Sequence, residues 1–314
     1  MLVASVILAY YTSRHSGKEQ DKAQAIMPYS PPYDVSSERS AYTFHGGPVG
    51  CLMLHGFLGS PISSRPMAQY LARHEVTVHC PLLPGHGELP EKLYGMRQED
   101  WIAEAEEAFA TLRGWCDELF IMGHSMGTVL GAHLAHGNPD VRGLIMLAPL
   151  YKPPSRAISL LRIVRHVMPW FYPWRIKQLR RLTRERILDL YPDLDLEDPG
   201  VRAWLPQATR VPTGAIDEMR KVADMGRKLW PELTLPALLL QGEKDIAVNP
   251  GNTEAIYRAL GSEDKALRNF PRAGHELMRP FEPVHREVWP LVYTFIQERA
   301  TNHLPEKPHT PQAA

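Results

Sequence analysis

Short apolar runs alternate with amphipathic stretches along most of the chain, and that rhythm predicts the fold class. Residues 50–56 (GCLMLHG), 76–83 (VTVHCPLL), 118–125 (ELFIMGHS), 141–149 (VRGLIMLAP), 236–243 (PALLLQGE) and 265–271 (KALRNFP) read as strands. Several are apolar at nearly every position rather than every second one, the pattern of parallel strands covered on both faces. Between them, residues 61–74, 98–115, 126–136, 251–260 and 282–300 carry helical spacing. Strand and helix in alternation predict an α/β fold, a mostly parallel, doubly wound central sheet with helices on both faces.

One interval breaks the rhythm. Residues 150–235 contain no good strand, which is too long for a plain connection. The interval is rich in aromatic and basic residues, among them Trp170, Phe171, Tyr172, Trp174, Arg175 and Arg186. It reads as a helical cap inserted at 151–235 between two core segments, 41–150 and 236–300, over the sheet edge where open α/β sheets bind ligands. Within it, RIKQLRRLTRERI puts Ile176, Leu179 and Ile187 on one side and Lys177, Arg180, Arg181 and Arg184 on another. That pattern fits a solvated helix face over the core, and it also fits a surface that meets anionic lipid. The aromatic stretch MPWFYPW suits packing of the cap onto the sheet or lining of an acyl pocket.

The two ends differ from the middle. Residues 2–11 (LVASVILAYY) are apolar but shorter than the ~20 residues that span a bilayer. They fit a mobile apolar tail and also a truncated signal or anchor, and residues 12–40 read as a polar, Pro- and Ser-rich linker. Residues 301–314 read as a frayed tail.

Charge narrows the classes of function. Lys+Arg and Asp+Glu each number 35 among 314 residues, so the formal net charge is zero. A bulk nucleic-acid binder needs a basic surplus, and none is present. Cys51, Cys80 and Cys116 form no CxxC pair and no disulfide framework, so neither a zinc ribbon nor a thioredoxin-type site is expected. A cytoplasmic protein is expected, with membrane association or export through the apolar N-terminal run as the alternative. Oligomeric state leaves no mark in the sequence.

The chemistry centres on Gly123-His124-Ser125-Met126-Gly127, a G-x-S-x-G pentapeptide between a strand-like and a helix-like run. This is the context of a nucleophile elbow, in which a sharp strand-to-helix turn projects the serine and the flanking glycines relieve crowding. A serine hydroxyl needs a base to take its proton, and the base needs an orienting acid. Asp245 in QGEKD and His275 in FPRAGHE each follow a strand-like run, in the chain order serine, acid, histidine. Glu243 is the rival acid, and His285 and His303 are the rival bases. Backbone N–H groups of Phe57 and Met126 are placed to form an oxyanion hole, Phe57 in the HGFLGS loop and Met126 directly after the serine. His55 reads as a brace for that loop, Gly56 as its turn, and His86 in PGHG as a structural residue at the rim.

HGFLGSP, PLLPGHG, GHSMG, QGEKD and AGHE, in this order, resemble the α/β-hydrolase superfamily, and more narrowly the bacterial carboxylesterases and monoacylglycerol lipases with a small cap. The resemblance covers residues 42–299. It implies a triad of Ser125, Asp245 and His275, oxyanion donors Phe57 and Met126, and hydrolysis of short- to medium-chain carboxylic esters with neither metal nor organic cofactor. Monoacylglycerol hydrolysis at lipid interfaces is the alternative, as are thioesterase and acyltransferase chemistries on the same triad. The expected partner is a small-molecule ester, not nucleic acid, with peripheral membrane contact through the N-terminal run and the basic cap. The cap is longer and more basic than the small caps of that group.

Overall fold

Alternate residues of the central strands pack into different cores, which explains the continuous apolar runs. In β2 (Val49–Leu54), Val49, Cys51 and Met53 join one buried cluster while Leu52 and Leu54 join the other. The same division holds in β4 (Glu118–His124), where Phe120 and Met122 oppose Leu119 and Ile121. The computed structural model of the chain describes residues 36–151, 163, 165–301 and 304. The apolar run at 2–11, most of the 12–40 linker, cap residues 152–162, His303 and the end of the tail lie outside the described residues.

Seven strands form the sheet in the order β1-β3-β2-β4-β5-β8-β9, with β1 at Tyr42–Phe44, β3 at Val76–Cys80, β5 at Gly143–Leu147, β8 at Ala237–Gly242 and β9 at Lys265–Phe270. All neighbours are parallel except β1, which pairs antiparallel with β3. The six expected strands are β2, β3, β4, β5, β8 and β9. The apolar pattern does not reveal β1, because three residues at a sheet edge are too few to show a period.

Helices cover both faces. α1 (Arg65–Ala72) and α8 (His285–Gln297) contribute Met67, Leu71, Val292 and Tyr293 to one cluster. α2 (Gln98–Arg113), α3 (Met126–Gly137) and α7 (Pro250–Ala259) contribute Trp101, Val129 and Ile256 to the other.

The interval 150–235 is not uniform. α4 (Arg180–Leu190) and α5 (Pro199–Ala208) build a separate small core from Ile187, Leu190, Trp204 and Leu205. It also holds a short antiparallel pair that the sequence pattern does not suggest, β6 (Trp170–Phe171) with β7 (Val211–Pro212). Beyond β7, α6 (Thr213–Leu229) sends Ala215, Val222 and Ala223 into the same cluster as Val129 and Leu239. That helix therefore belongs to the cover of the sheet. No helix among the described residues is long and apolar enough to cross a membrane.

Candidate active site

Ser125 sits between β4 and α3 with φ 53° and ψ −116°, in the region that non-glycine residues rarely enter. The turn is held on both sides. Ser125 N–H donates to the Leu147 carbonyl at 2.9 Å, and its own carbonyl accepts from Thr128 N–H at 3.1 Å and Thr128 Oγ1 at 2.6 Å. The two flanking glycines are required by close packing. A methyl group at Gly123 would overlap the backbone of Gly127, and one at Gly127 would overlap the Leu54 carbonyl of β2. Met126, the first residue of α3, is fully buried, and N–H groups in a first helical turn have no partner within the helix.

The HGFLGS loop approaches the serine from β2. A methyl at Gly56 would stand 3.0 Å from Ser125 Cβ, so glycine lets this loop close against the elbow. Leu58 also has positive φ, 61°. His55 braces the loop: its Nδ1 donates to the Gly56 carbonyl at 3.0 Å, and its Nε2 accepts from Leu83 N–H at 3.1 Å. Burial holds His55 neutral and well below its usual range, and the nearby His86 adds to that. His86 donates from Nδ1 to the Pro84 carbonyl at 3.0 Å, and burial lowers its pKa to about 4. The Phe57 ring meets His86 and Trp101 edge to face, at 6.0 and 5.9 Å between centroids.

Asp245 and His275 meet. His275 Nδ1 lies 2.7 Å from Asp245 Oδ2, with both side chains buried. Their loops are joined by main-chain bonds, Glu243 N–H to the Phe270 carbonyl and Lys244 N–H to the Ala273 carbonyl. A methyl at Gly242 would overlap the Gly274 carbonyl, so the end of β8 presses directly against the histidine loop. The Asp245 carboxylate is saturated. Oδ1 accepts from Ala247 and Val248 N–H, each at 2.8 Å, and Oδ2 accepts from Gln241 Nε2 at 3.2 Å as well as from His275. Burial alone would raise this carboxyl, but the His275 contact and the two N–H donors outweigh it and hold it below the usual carboxylate range.

The rivals Glu243 and His285 stand apart from this arrangement, and His303 lies outside the described residues. Glu243 is exposed. His285 begins α8, where its Nδ1 donates to the Glu282 carbonyl at 2.7 Å and its ring rests on Trp289. Two positions not singled out in the sequence belong beside the site. Gln241 is fully buried, and its Oε1 accepts from Thr253 Oγ1 at 2.6 Å while its amide reaches Asp245. A glutamine inside the apolar run LLLQG is a polar residue in need of a partner, and that was the legible signal. His124 contacts His275 directly, with ring centroids 4.6 Å apart.

A serine in an elbow and a buried histidine–carboxylate pair are the parts of nucleophilic acyl transfer. The model of the family described as serine aminopeptidase, S33, matches residues 50–283. The chain is 28% identical over 246 residues to the thermostable monoacylglycerol lipase of Bacillus sp. (strain H-257), spanning 77% of this chain and 89% of that protein. It is 24% identical to a carboxylesterase of Bacillus subtilis (strain 168), over 79% of this chain and 94% of that one. A solved structure from work on the metagenome-derived lipolytic enzymes LipS and LipT superposes with a TM-score of 0.69 at 24% identity. The superposition covers 86% of this chain and 100% of that chain, a likeness of fold.

Proposed function

The chain belongs to the α/β-hydrolase family described as serine aminopeptidase, S33, and from that premise we propose that it is a carboxylic ester hydrolase using Ser125, His275 and Asp245. The observation that carries this reading is the saturated Asp245 carboxylate bonded to His275 at 2.7 Å. A carboxylate so fully engaged stays ionised and fixes both the tautomer and the orientation of the imidazole. Nδ1 keeps its proton toward Asp245, which leaves Nε2 as the acceptor for a nucleophile's proton.

The reaction then runs in two halves. Ser125 Oγ attacks the ester carbonyl carbon as His275 Nε2 takes its proton, and Asp245 stabilises the imidazolium. Negative charge on the former carbonyl oxygen is met by the N–H groups of Phe57 and Met126. The tetrahedral species collapses to the acyl-enzyme when the alcohol leaves with the proton from His275. Water, deprotonated by the same imidazole, repeats the sequence and releases the carboxylic acid.

The two Bacillus relatives are a lipase and a carboxylesterase matched over more than three quarters of the chain, and this favours an ester over the peptide bond of the family description. The substrate class is an ester of a short to medium acyl chain held between the sheet edge and the cap that contains α4 and α5. Each methylene buried there adds about 0.8 kcal/mol, roughly fourfold in kcat/KM, until the slot is full. A second reading, monoacylglycerol hydrolysis at a lipid surface, draws on the name of the Bacillus relative and on the exposed Lys177, Arg180, Arg181 and Arg184. A rate profile over p-nitrophenyl esters from acetyl to palmitoyl, with a monoacylglycerol alongside, separates the two. A maximum between butyryl and octanoyl supports the first. A profile rising steadily to palmitoyl overturns it in favour of the second.

A further inference from the structure

Glu276, the residue after His275, carries a charge that the ester reaction does not use, and it is buried. Its partners come from two directions. Arg186 of α4 reaches Glu276 Oε1 at 2.8 Å, and Arg279 of the same loop reaches Oε2 at 3.2 Å. Arg279 in turn makes a two-pronged contact with Asp189, Nη2 lying 2.6 Å from Oδ2 and Nη1 meeting Oδ1. Arg186 and Asp189, one turn apart on α4, close the circuit at 3.7 Å. Two residues of the cap and two of the histidine loop thus form a neutral ring of alternating charges. None of the four side chains is more than 21% exposed.

The cap's other ionic attachments differ in kind. Arg210 meets Glu91 with the glutamate 45% exposed. Arg165 meets Asp217 and Glu218 of α6, far along the chain from any proposed catalytic residue. Among the described residues, the ring alone joins the cap by ion pairs to the residue bonded covalently to His275. Buried ion pairs add little net stability over apolar packing, yet opening one strands a charge in a low-dielectric interior. A closed ring of this kind therefore defines one docked position of α4 sharply, because a shift of a helical turn separates both crossing contacts, Arg186–Glu276 and Arg279–Asp189, together.

We propose that the Arg186–Glu276–Arg279–Asp189 ring docks the cap onto the His275 loop, with Arg186 and Glu276 as positioning residues that act through the imidazole. This rests on the reading of His275 as the base. The groups facing Glu276 are Arg186 and Asp189 from the cap, Arg279 and His275 from its own loop, and His124 from the elbow. Burial would raise Glu276, but Arg186 and Arg279, then His124 and His275, outweigh it and keep the carboxylate charged. Arg279 is likewise buried, yet Asp189 and Glu276 hold it firmly protonated. Arg186 also acts on His55, His86 and His124, disfavouring their charged forms. The Glu276 charge, felt by His275 and His124, is thus compensated from the cap as well as from its own loop.

The test follows the titration of the His275 imidazole by NMR in the full chain, with His275→Gln assigning the signal. Glu276→Gln leaves the arginines unopposed, so the titration is expected to move to lower pH. Arg186→Met leaves the glutamate under-compensated, so it is expected to move to higher pH. The two displacements are opposite in sign, and the Arg186→Met/Glu276→Gln double variant should return toward wild type. Arg186→Lys, which keeps the charge, should stay within a small fraction of either shift and guards against variants that fail to fold. A parallel assay should show kcat falling alike for acetyl and octanoyl esters. Titrations that stay put or move in the same direction overturn the proposal, as does a loss confined to KM for octanoyl esters. Failure of the hydrolase reading has a separate signature, the absence of Ser125-dependent turnover in wild type whatever His275 does.

Discussion

His124 Nε2 donates to the main-chain carbonyl of His275 across 3.0 Å, so the residue before the elbow serine holds the backbone of the proposed base. A carbonyl only accepts, and Nε2 of His124 therefore carries that ring's proton. Burial, reinforced by His275, lowers the His124 pKa to about 4, which keeps it a neutral donor at working pH. Elbow and base are tied through neutral groups that do not compete with Asp245 for charge.

Ser125→Ala is expected to leave the fold intact and reduce kcat by roughly 10⁴ or more. A fluorophosphonate should label the wild-type protein once, at Ser125. Labelling at another residue would remove the serine from its role.

Asp245→Asn is expected to lower kcat by roughly 10³–10⁴, because the imidazole loses its charge partner and its preferred tautomer. Glu243→Gln, at an exposed position, should change little. Steady-state kinetics of the pair decides between the carboxylates, and the reverse ranking would reassign the acid.

Gln241→Leu strips one donor from Asp245 Oδ2 and orphans the Thr253 hydroxyl. A hydrogen bond to a charged group contributes about 1.5–3 kcal/mol, so kcat is expected to drop roughly tenfold or more, short of the loss in Asp245→Asn. Thr253→Val removes only the hydroxyl behind the glutamine. It should cost about 1–3 kcal/mol of stability with a smaller kinetic effect. Chemical denaturation and kcat measured on both variants distinguish positioning from packing, and equal kinetic losses would contradict the relay.

Acid should destabilise the fold before the carboxylates titrate. His86 and His124 have folded pKa values of about 4 against an ordinary 6.5, with burial the main cause in both. The unfolded chain therefore takes up their protons first, and stability present above pH 6.5 is lost as pH falls toward 4. His124→Gln should make the slope of stability against pH between 6 and 4.5 shallower by about one proton. An unchanged slope in denaturant titrations would mean that His124 is not held neutral.

Much of this was legible in the residues themselves. Strands buried on both faces announce themselves as unbroken apolar runs, as in CLML and LIML, and the elbow is marked by glycines whose absent side chains make room for Gly127, Thr128 and Leu54. QGEKD offers both Glu243 and Asp245 as the acid, with Asp245 favoured because it lies further past the strand end, and in the fold Asp245 meets His275 while Glu243 is exposed. What the chain conceals are relationships across long separations. Nothing local says that Arg186 meets Glu276 or that His124 meets the carbonyl of His275. The extent of the insertion is obscured for the same reason. α6 follows a strandless interval, and only its packing against Val129 and Leu239 assigns it to the sheet.

The backbone of Ser125, at φ 53°, sets two demands on one position against each other. A side chain there costs roughly 1–3 kcal/mol of conformational strain that glycine would not incur, while only a residue with a nucleophilic side chain can attack an ester. Ser125→Gly should therefore melt above Ser125→Ala, two equally inactive proteins ranked by strain alone. A lineage released from the reaction would drift toward glycine here, gaining robustness as it lost its chemistry. Position 125 is thus where mutation toward a sturdier protein and mutation toward a working one run in opposite directions.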